Sequence, residues 1–291
     1  MNILVSCNDH YGMPLMVMLT SLFSTNPCGA EKEHTVYMLE ANLSDSMNER
    51  IAACVRHFHA DYERLHLPDD PFASAKTKPY ISKETYYRLL AAEYLPPEME
   101  RILWLDGDII VRKNIGKFYH SPFEENMAIA CGYGPAMRDL INENACSLGL
   151  RHPESYCNAG VMLLNLPECR KKITKEKINR LAESGKTERY LFPGQDVVNL
   201  LFDGKFKVEE YMKYNCMIHC ITNQNDLAEA KINAAVVHFS GEAKPWKFND
   251  IHFADEWLAW YKTCFGETAD IKRMSYFRLK ALYDRQRMMK K

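Results

Sequence analysis

An α/β fold with a mainly parallel central sheet is the class this 291-residue sequence predicts, and three observations carry the prediction. Apolar runs of strand length alternate with segments of helical spacing. The run Ala159–Leu166 is apolar but for Asn165, the mark of a buried strand. No internal repeat and no Pro/Gly/Ser-rich linker interrupts the alternation, so residues 1–270 are expected to form one domain.

In chain order, Asn2–Cys7 opens as a strand; it lacks the positive start of a signal peptide. Met13–Thr25 follows as a helix, and Thr35–Leu39 as a second strand. Ser44 caps a helix on which Met47, Ile51, Cys54, Val55 and Phe58 recur at helical spacing. Ser82-Lys83-Glu84-Thr85 starts another helix, through Arg88 and Leu89 to Ala92, that Pro96-Pro97 stops. Arg101–Leu105 is a short strand ending at Asp106-Gly107-Asp108, with Ile109–Val111 beyond. After Ala159–Leu166, helices are expected near Glu168–Glu183 and Gln195–Phe202. Ala234–Phe239 is the last strand, before a Trp- and Tyr-rich helix near 253–265.

Composition bounds the function. Hydrophobic residues make up 47% and charged residues 26%, which suits a globular core and excludes a disordered or collagen-like chain. The net charge of −1 gives no general footprint for nucleic acid. No apolar run is long enough to span a bilayer. The 10 cysteines form no C-x-x-C pair, and Cys216 and Cys220 around His219 lack the second pair a zinc site needs. Reduced thiols and a cytoplasmic setting are therefore expected. Residues 271–291 differ in kind, carrying a net +7 against −8 for residues 1–270. Met274, Phe277, Leu282 and Tyr283 give this stretch a partial apolar face. It reads as a basic amphipathic C-terminal helix suited to an anionic membrane surface, which would place the protein at the inner face of the membrane.

Asp106 and Asp108 stand two residues apart just past an apolar strand, the end of an open α/β sheet where ligands bind. Two carboxylates aimed at one point repel unless a hard divalent cation lies between them, and phosphates are such a cation's common partners. Haloacid-dehalogenase-like phosphatases share a D-x-D after a strand, but on the first strand and with Thr or Val two residues on, where Ile110 stands here.

Further segments narrow the reading: Val5-Ser6-Cys7-Asn8-Asp9-His10-Tyr11, Thr85-Tyr86-Tyr87-Arg88-Leu89, Asn158-Ala159-Gly160-Val161, Gly194-Gln195-Asp196, and His238-Phe239-Ser240-Gly241-Glu242-Ala243-Lys244-Pro245-Trp246. Together with D-G-D, in this order, they resemble glycosyltransferase family 8, the retaining UDP-sugar enzymes that include lipooligosaccharide galactosyltransferases and glycogenin. The resemblance runs from residue 1 to about 265. It implies a nucleotide-diphospho-sugar transferase (GT-A, Rossmann-like) domain.

The resemblance also implies roles. Asp106, Asp108 and His238 would bind Mn²⁺, with Mg²⁺ an alternative, on the UDP diphosphate. Gly107 completes the motif. Gly241 and Lys244 would approach the diphosphate, and Pro245 and Trp246 would pack the loop. Ser6, Asn8 and Tyr11 match the nucleoside-binding loop, with Tyr11 stacking on uracil. Arg88 matches a basic residue reaching the donor, and Asn158 and Ala159 the stretch facing the donor sugar. Gln195 matches the residue beneath the anomeric carbon; Asp196 is the neighbouring carboxylate for a double displacement. The resemblance expects acids where Gly194 and Gly132-Tyr133-Gly134 stand, so the choice between galactose, glucose and another hexose is open.

The expected partners are a UDP-sugar donor and a glycan or glycolipid acceptor, with loops 69–80 and 133–155 shaping the acceptor site. Two other readings stand beside transfer to such an acceptor: a self-glucosylating primer enzyme, and a UDP-sugar-binding module without turnover.

Overall fold

A computed structural model describes residues 1–29, 34–68, 72, 83–183 and 190–280. The strands are β1 (Asn2–Val5), β2 (Thr35–Glu40), β3 (Asp61–His66), β4 (Arg101–Leu105), β5 (Ile109–Val111), β6 (Ala128–Cys131), β7 (Asn158–Asn165), β8 (Phe206–Glu209), β9 (Cys216–Met217) and β10 (Val236–His238). Among the described residues they form a seven-stranded sheet ordered β3-β2-β1-β4-β7-β6-β8 and a three-stranded sheet ordered β5-β10-β9. In the large sheet only β7 runs against its neighbours, pairing antiparallel with β4 and β6; the rest pair parallel. The expected fold class is the observed one.

Period-two alternation with a core on each face explains why the central strands are apolar at nearly every interior residue. Leu4, Ile102, Trp104, Ala130 and Met162 pack into one core, while Ile3, Val5, Leu103, Leu105, Ile129 and Val161 pack into another on the opposite face. Each fully buried aliphatic side chain contributes about 1.5–3 kcal/mol.

Helices differ from expectation mainly at their starts. The first, α1, spans Asp9–Thr25, starting four residues before Met13, because the Asn8 side chain accepts from the His10 amide and caps it. The second, α2 (Asp45–His57), is capped by Ser44 as predicted. Lys83–Leu90 is a 3₁₀ helix running into a short α-helical turn at Ala91–Tyr94; Ser82 lies outside the described residues. The stretch near 168–183 divides into Leu166–Lys172 and Lys175–Glu183. Pro193–Leu201 and Ala254–Phe265 match the remaining helices, whereas Arg138–Leu148 and Gln224–Asn233 were not anticipated.

Glu40 ends β2 with its carboxylate 1% exposed. It accepts from the Leu43 amide, Arg64 Nε and the His66 ring, each at 2.9 Å. Burial pushes its pKa up, but these partners outweigh burial and hold it below the ordinary glutamate range. A depressed folded-state pKa stabilises the fold above the unfolded value of about 4.3, and that contribution is lost as pH falls. Glu40→Gln is therefore expected to destabilise by about 1–3 kcal/mol at pH 7. Urea unfolding at pH 7 and at about pH 4 checks it: the gap to wild type should shrink at the lower pH.

The basic stretch does not begin as a separate tail. Met274 exchanges backbone hydrogen bonds with Lys247 and Asn249 at 2.8 and 3.1 Å. Asp250 accepts from Ser275 Oγ at 2.5 Å and from the Tyr276 and Phe277 amides at 2.6 and 3.3 Å. Residues 273–277 thus bond to residues 247–254 of the domain. Leu282, Tyr283 and the rest of 281–291 lie outside the described residues, as does most of the expected 69–80 loop.

Candidate active site

Strand pairing assembles the site from segments far apart in sequence. At the end of β4 the Asp106 amide donates to the Gly160 carbonyl of β7 at 2.9 Å. β5 pairs antiparallel with β10, setting Ile109 opposite His238, and the Phe239 amide donates to the Asp108 carbonyl at 2.9 Å. Ligand atoms of Asp106, Asp108 and His238 consequently lie within 4.8 Å of one another. His238 Nε2 is 3.2 Å from Asp108 Oδ1 and 3.9 Å from Asp106 Oδ2. Among the described residues no other cluster of three His, Cys, Asp or Glu ligand atoms is this close. Cys216, by contrast, is buried against Met212, with all described cysteines free.

Gly160 makes this convergence possible. A Cβ there would fall 2.3 Å from His238 Cε1 and 3.0 Å from Asp106 Oδ2. The donor set, two carboxylates and one imidazole, fits a six-coordinate Mn²⁺ or Mg²⁺, with imidazole favouring the former.

Two cations flank the acids. Lys244 is 4% exposed; its Nζ donates to Asp108 Oδ2 and, at 2.8 Å, to the Phe239 carbonyl. Burial opposes ionisation of Asp108, but Lys244 and His238 hold its carboxyl well below the ordinary range. Arg88 is no solvated helix residue: it is buried, and its Nη2 stands 3.2 Å from Asp106 Oδ1. It lies over Trp104, 4.5 Å from the ring centre, and donates to the Ala159 carbonyl. Trp104 Nε1 donates to Asp106 Oδ1 at 2.7 Å. Arg88 is thus an orienting partner of Asp106, although it also reaches the cavity wall.

A cavity of about 750 Å³ opens over these groups. Ser6, Tyr11, Arg88, Asp106, Gly107 and Asp108 line it from the first half of the chain, and Asn158, Ala159, Gln195, His238, Gly241 and Lys244 from the second. The Ser6 hydroxyl is buried without a protein partner, which suits a ligand hydroxyl. Burial, then Asp108 and Asp106, pushes the Tyr11 phenol pKa up. Gly241 sits at φ +86°, a conformation its loop needs and other residues resist.

Two expected site residues are placed differently. Asn8 stands behind the cavity wall: its Oδ1 caps α1 and its Nδ2 lies 3.5 Å from Oε2 of Glu84, which does line the cavity. Asp196 is fully buried and outside the lining. Its carboxylate accepts from Tyr156, from Asn144 Nδ2 at 2.8 Å and from the Phe192 amide at 2.8 Å.

Gln195 does face the cavity, held on all sides. Its Oε1 accepts from Asn158 Nδ2 at 3.0 Å and the Ala159 amide at 3.3 Å; its Nε2 donates to Tyr133 and Tyr156 at 2.8 and 2.9 Å. Tyr156 and Asn215 escaped the sequence reading, since a buried Tyr or Asn in a loop carries no pattern of its own. Tyr276, Phe277 and Lys280 were read only as tail residues, yet they line the cavity once Asp250 has clasped their segment.

The family model for Glycosyl transferase family 8 matches residues 2–250. General stress protein A of Bacillus subtilis (strain 168) is 24% identical over 270 residues, covering 88% of this chain and 91% of that protein. The lipopolysaccharide 1,2-glucosyltransferase of Escherichia coli (strain K12) is 30% identical over 221 residues, 72% of this chain and 63% of that protein. The crystal structure of galactosyltransferase LgtC with donor and acceptor sugar analogs superposes with a TM-score of 0.74 at 23% identity, covering 90% of this chain and 96% of that one. With a family model over most of its length and the same GT-A fold, the chain belongs to glycosyl transferase family 8 and is a glycosyltransferase.

Proposed function

We propose that this glycosyltransferase is a metal-dependent retaining hexosyltransferase, moving galactose or glucose from a UDP-sugar to a hydroxyl of a glycan or glycolipid. The observation that carries the reading is the convergence of Asp106, Asp108 and His238 beside Lys244 and Gln195 in one cavity. Relatives named as lipopolysaccharide glucosyl- and galactosyltransferases support a hexose donor and a glycan acceptor.

Asp106, Asp108 and His238 would hold Mn²⁺ or Mg²⁺, whose positive charge would offset the charge that develops on a departing diphosphate. Lys244 adds a second positive charge on the same side, fixed in place before reaction begins. Ser6 and Tyr11 offer a hydroxyl and a ring to the nucleoside. Gln195 is a poor nucleophile, and its pinned amide suits stabilising positive charge at the anomeric carbon, which favours attack from the face UDP leaves. The burial of Asp196 away from the cavity supports that route over a double displacement.

Donor selection rests on altered chemistry. Gly194 has no side chain, and a Cβ there would lie 2.7 Å from Thr85 Oγ1. Thr85 and Tyr133 therefore present hydroxyls where the family resemblance expects carboxylates. UDP release from a panel of UDP-sugars with Mn²⁺ tests the reading: one hexose should turn over well above the others. Tight Mn²⁺-dependent UDP binding with no turnover on any donor or acceptor would instead identify a binding module.

The segment 271–280 supports an amphiphilic acceptor at an anionic membrane face. It exposes Met274, Phe277 and Leu279 at 56%, 62% and 48%, among Lys272, Arg273, Arg278 and Lys280. Truncation after Asp270 is expected to abolish co-sedimentation with anionic liposomes. It should also raise the KM for donor several-fold, because it removes cavity wall; equal sedimentation of the truncated chain would sink the membrane assignment.

A further inference from the structure

We propose that Asn215 and Tyr156 are positioning residues for the metal site, links in one polarised hydrogen-bond chain that runs from the buried carboxylate of Asp196 to His238. Tyr156 donates its proton to Asp196 Oδ1, so its oxygen must accept, and Gln195 Nε2 donates to it at 2.9 Å. That turns Gln195 Oε1 towards Asn158 Nδ2, at 3.0 Å. Asn158 Oδ1 then accepts from Asn215 Nδ2 at 2.9 Å, and Asn215 Oδ1 faces His238 Nδ1 at 2.9 Å.

Every link has the same direction. A carboxylate can only accept, and a primary amide has one accepting and one donating end. Reversing any single amide would set two donors or two acceptors against each other in a dry interior, where an unmade hydrogen bond is costly. Two backbone donors reinforce the sense: the Ala159 amide to Gln195 Oε1 at 3.3 Å, and the Gly160 amide to Asn158 Oδ1 at 2.9 Å. Asp196, Tyr156, Asn158, Asn215 and His238 are all at least nine-tenths buried, and Gln195, half-buried at the cavity wall, has both ends of its amide bonded within the chain.

The consequence lies at the far end. Because Asn215 offers His238 an acceptor, the neutral ring carries its proton on Nδ1, so that Nε2, which faces Asp106 and Asp108, is the nitrogen free to give its lone pair to a metal. Only that tautomer can ligate a metal through Nε2. One chain thus orients both the amide beneath the sugar and the imidazole on the metal. The inference rests on the proposed function in one respect only, that His238 is a metal ligand.

Mn²⁺ binding, followed by electron paramagnetic resonance of the free ion in the presence of UDP, is the test. Asn215→Leu should weaken Mn²⁺ affinity about tenfold, the scale at which such orienting partners act. Tyr156→Phe, which leaves Asp196 bonded to Asn144 and Phe192, should weaken it about threefold. In the Asn215→Leu background Tyr156→Phe should add nothing, because the path to His238 is already cut. Nitrogen-15 spectra of the protein loaded with diamagnetic Mg²⁺ should show His238 protonated at Nδ1 in wild type, and that signature should weaken in Asn215→Leu. Wild-type Mn²⁺ affinity and an unchanged His238 tautomer in both single variants would overturn the chain while leaving the proposed function standing. Absence of Mn²⁺ binding by wild type would overturn both.

Discussion

Asp108→Ala abolishes metal-dependent UDP release, with turnover expected to fall by more than about a thousandfold. Asp108 does more than offer an oxygen to a cation. It is 8% exposed, it stands 3.2 Å from His238 Nε2, and it receives the Lys244 ammonium. Its loss leaves Lys244 buried without its carboxylate and removes one of the three ligand atoms. Asp108→Asn keeps the shape but not the charge and should fall nearly as far. UDP-release assays with and without added Mn²⁺ separate the two contributions: residual activity of the variant should be indifferent to the metal.

Lys244→Met comes next, with an expected loss of about 10²–10³ in kcat. The ammonium is held by Asp108 and the Phe239 carbonyl on the loop following β10, so its charge costs no reorganisation when negative charge develops on UDP. Arginine should not rescue it. A guanidinium is larger and planar, and the site provides one carboxylate oxygen and one carbonyl around a compact cation. Steady-state kinetics should show KM for the donor rising less than kcat falls; a variant with wild-type kcat would remove Lys244 from the transition state.

What could be read in the sequence follows from how the strands are buried. β1, β2, β4, β5, β7 and β10 carry apolar side chains into cores on both sheet faces, so their runs stand out without any alignment. β3, with the sequence DYERLH, lies at the sheet edge and is half-buried, which gives it neither an apolar run nor a clean alternation. β8 is the opposite edge and hides for the same reason. The extra residues of α1 were legible in principle, since Asn8-Asp9 is a capping signal, but the apolar pattern starting at Met13 drew the boundary inward.

The site divides similarly. Asp106, Asp108, His238 and Lys244 sit in motifs with fixed spacing, and the structure brings them together. Asn215 and Tyr156 act through the direction of hydrogen bonds, which depends on three-dimensional partners and leaves no spacing to detect. Asp196 was legible as a carboxylate next to Gln195 but not as a buried one; residue adjacency on a helix says nothing of which side a side chain takes. Lys280 and Phe277 were read by charge and amphipathicity alone, while their place in the cavity wall depends on the Asp250 clasp.

One measurement bears most directly on metal-dependent retaining transfer from a UDP-sugar. The α-linked UDP-hexose that turns over would be followed by proton nuclear magnetic resonance with Mn²⁺ present, then again after chelation. The sugar product should first appear in the α configuration, at the rate at which UDP is released, and both signals should cease with the chelator. A β-configured first product, or UDP release undiminished without metal, would contradict the assignment of Asp106, Asp108, His238 and Gln195.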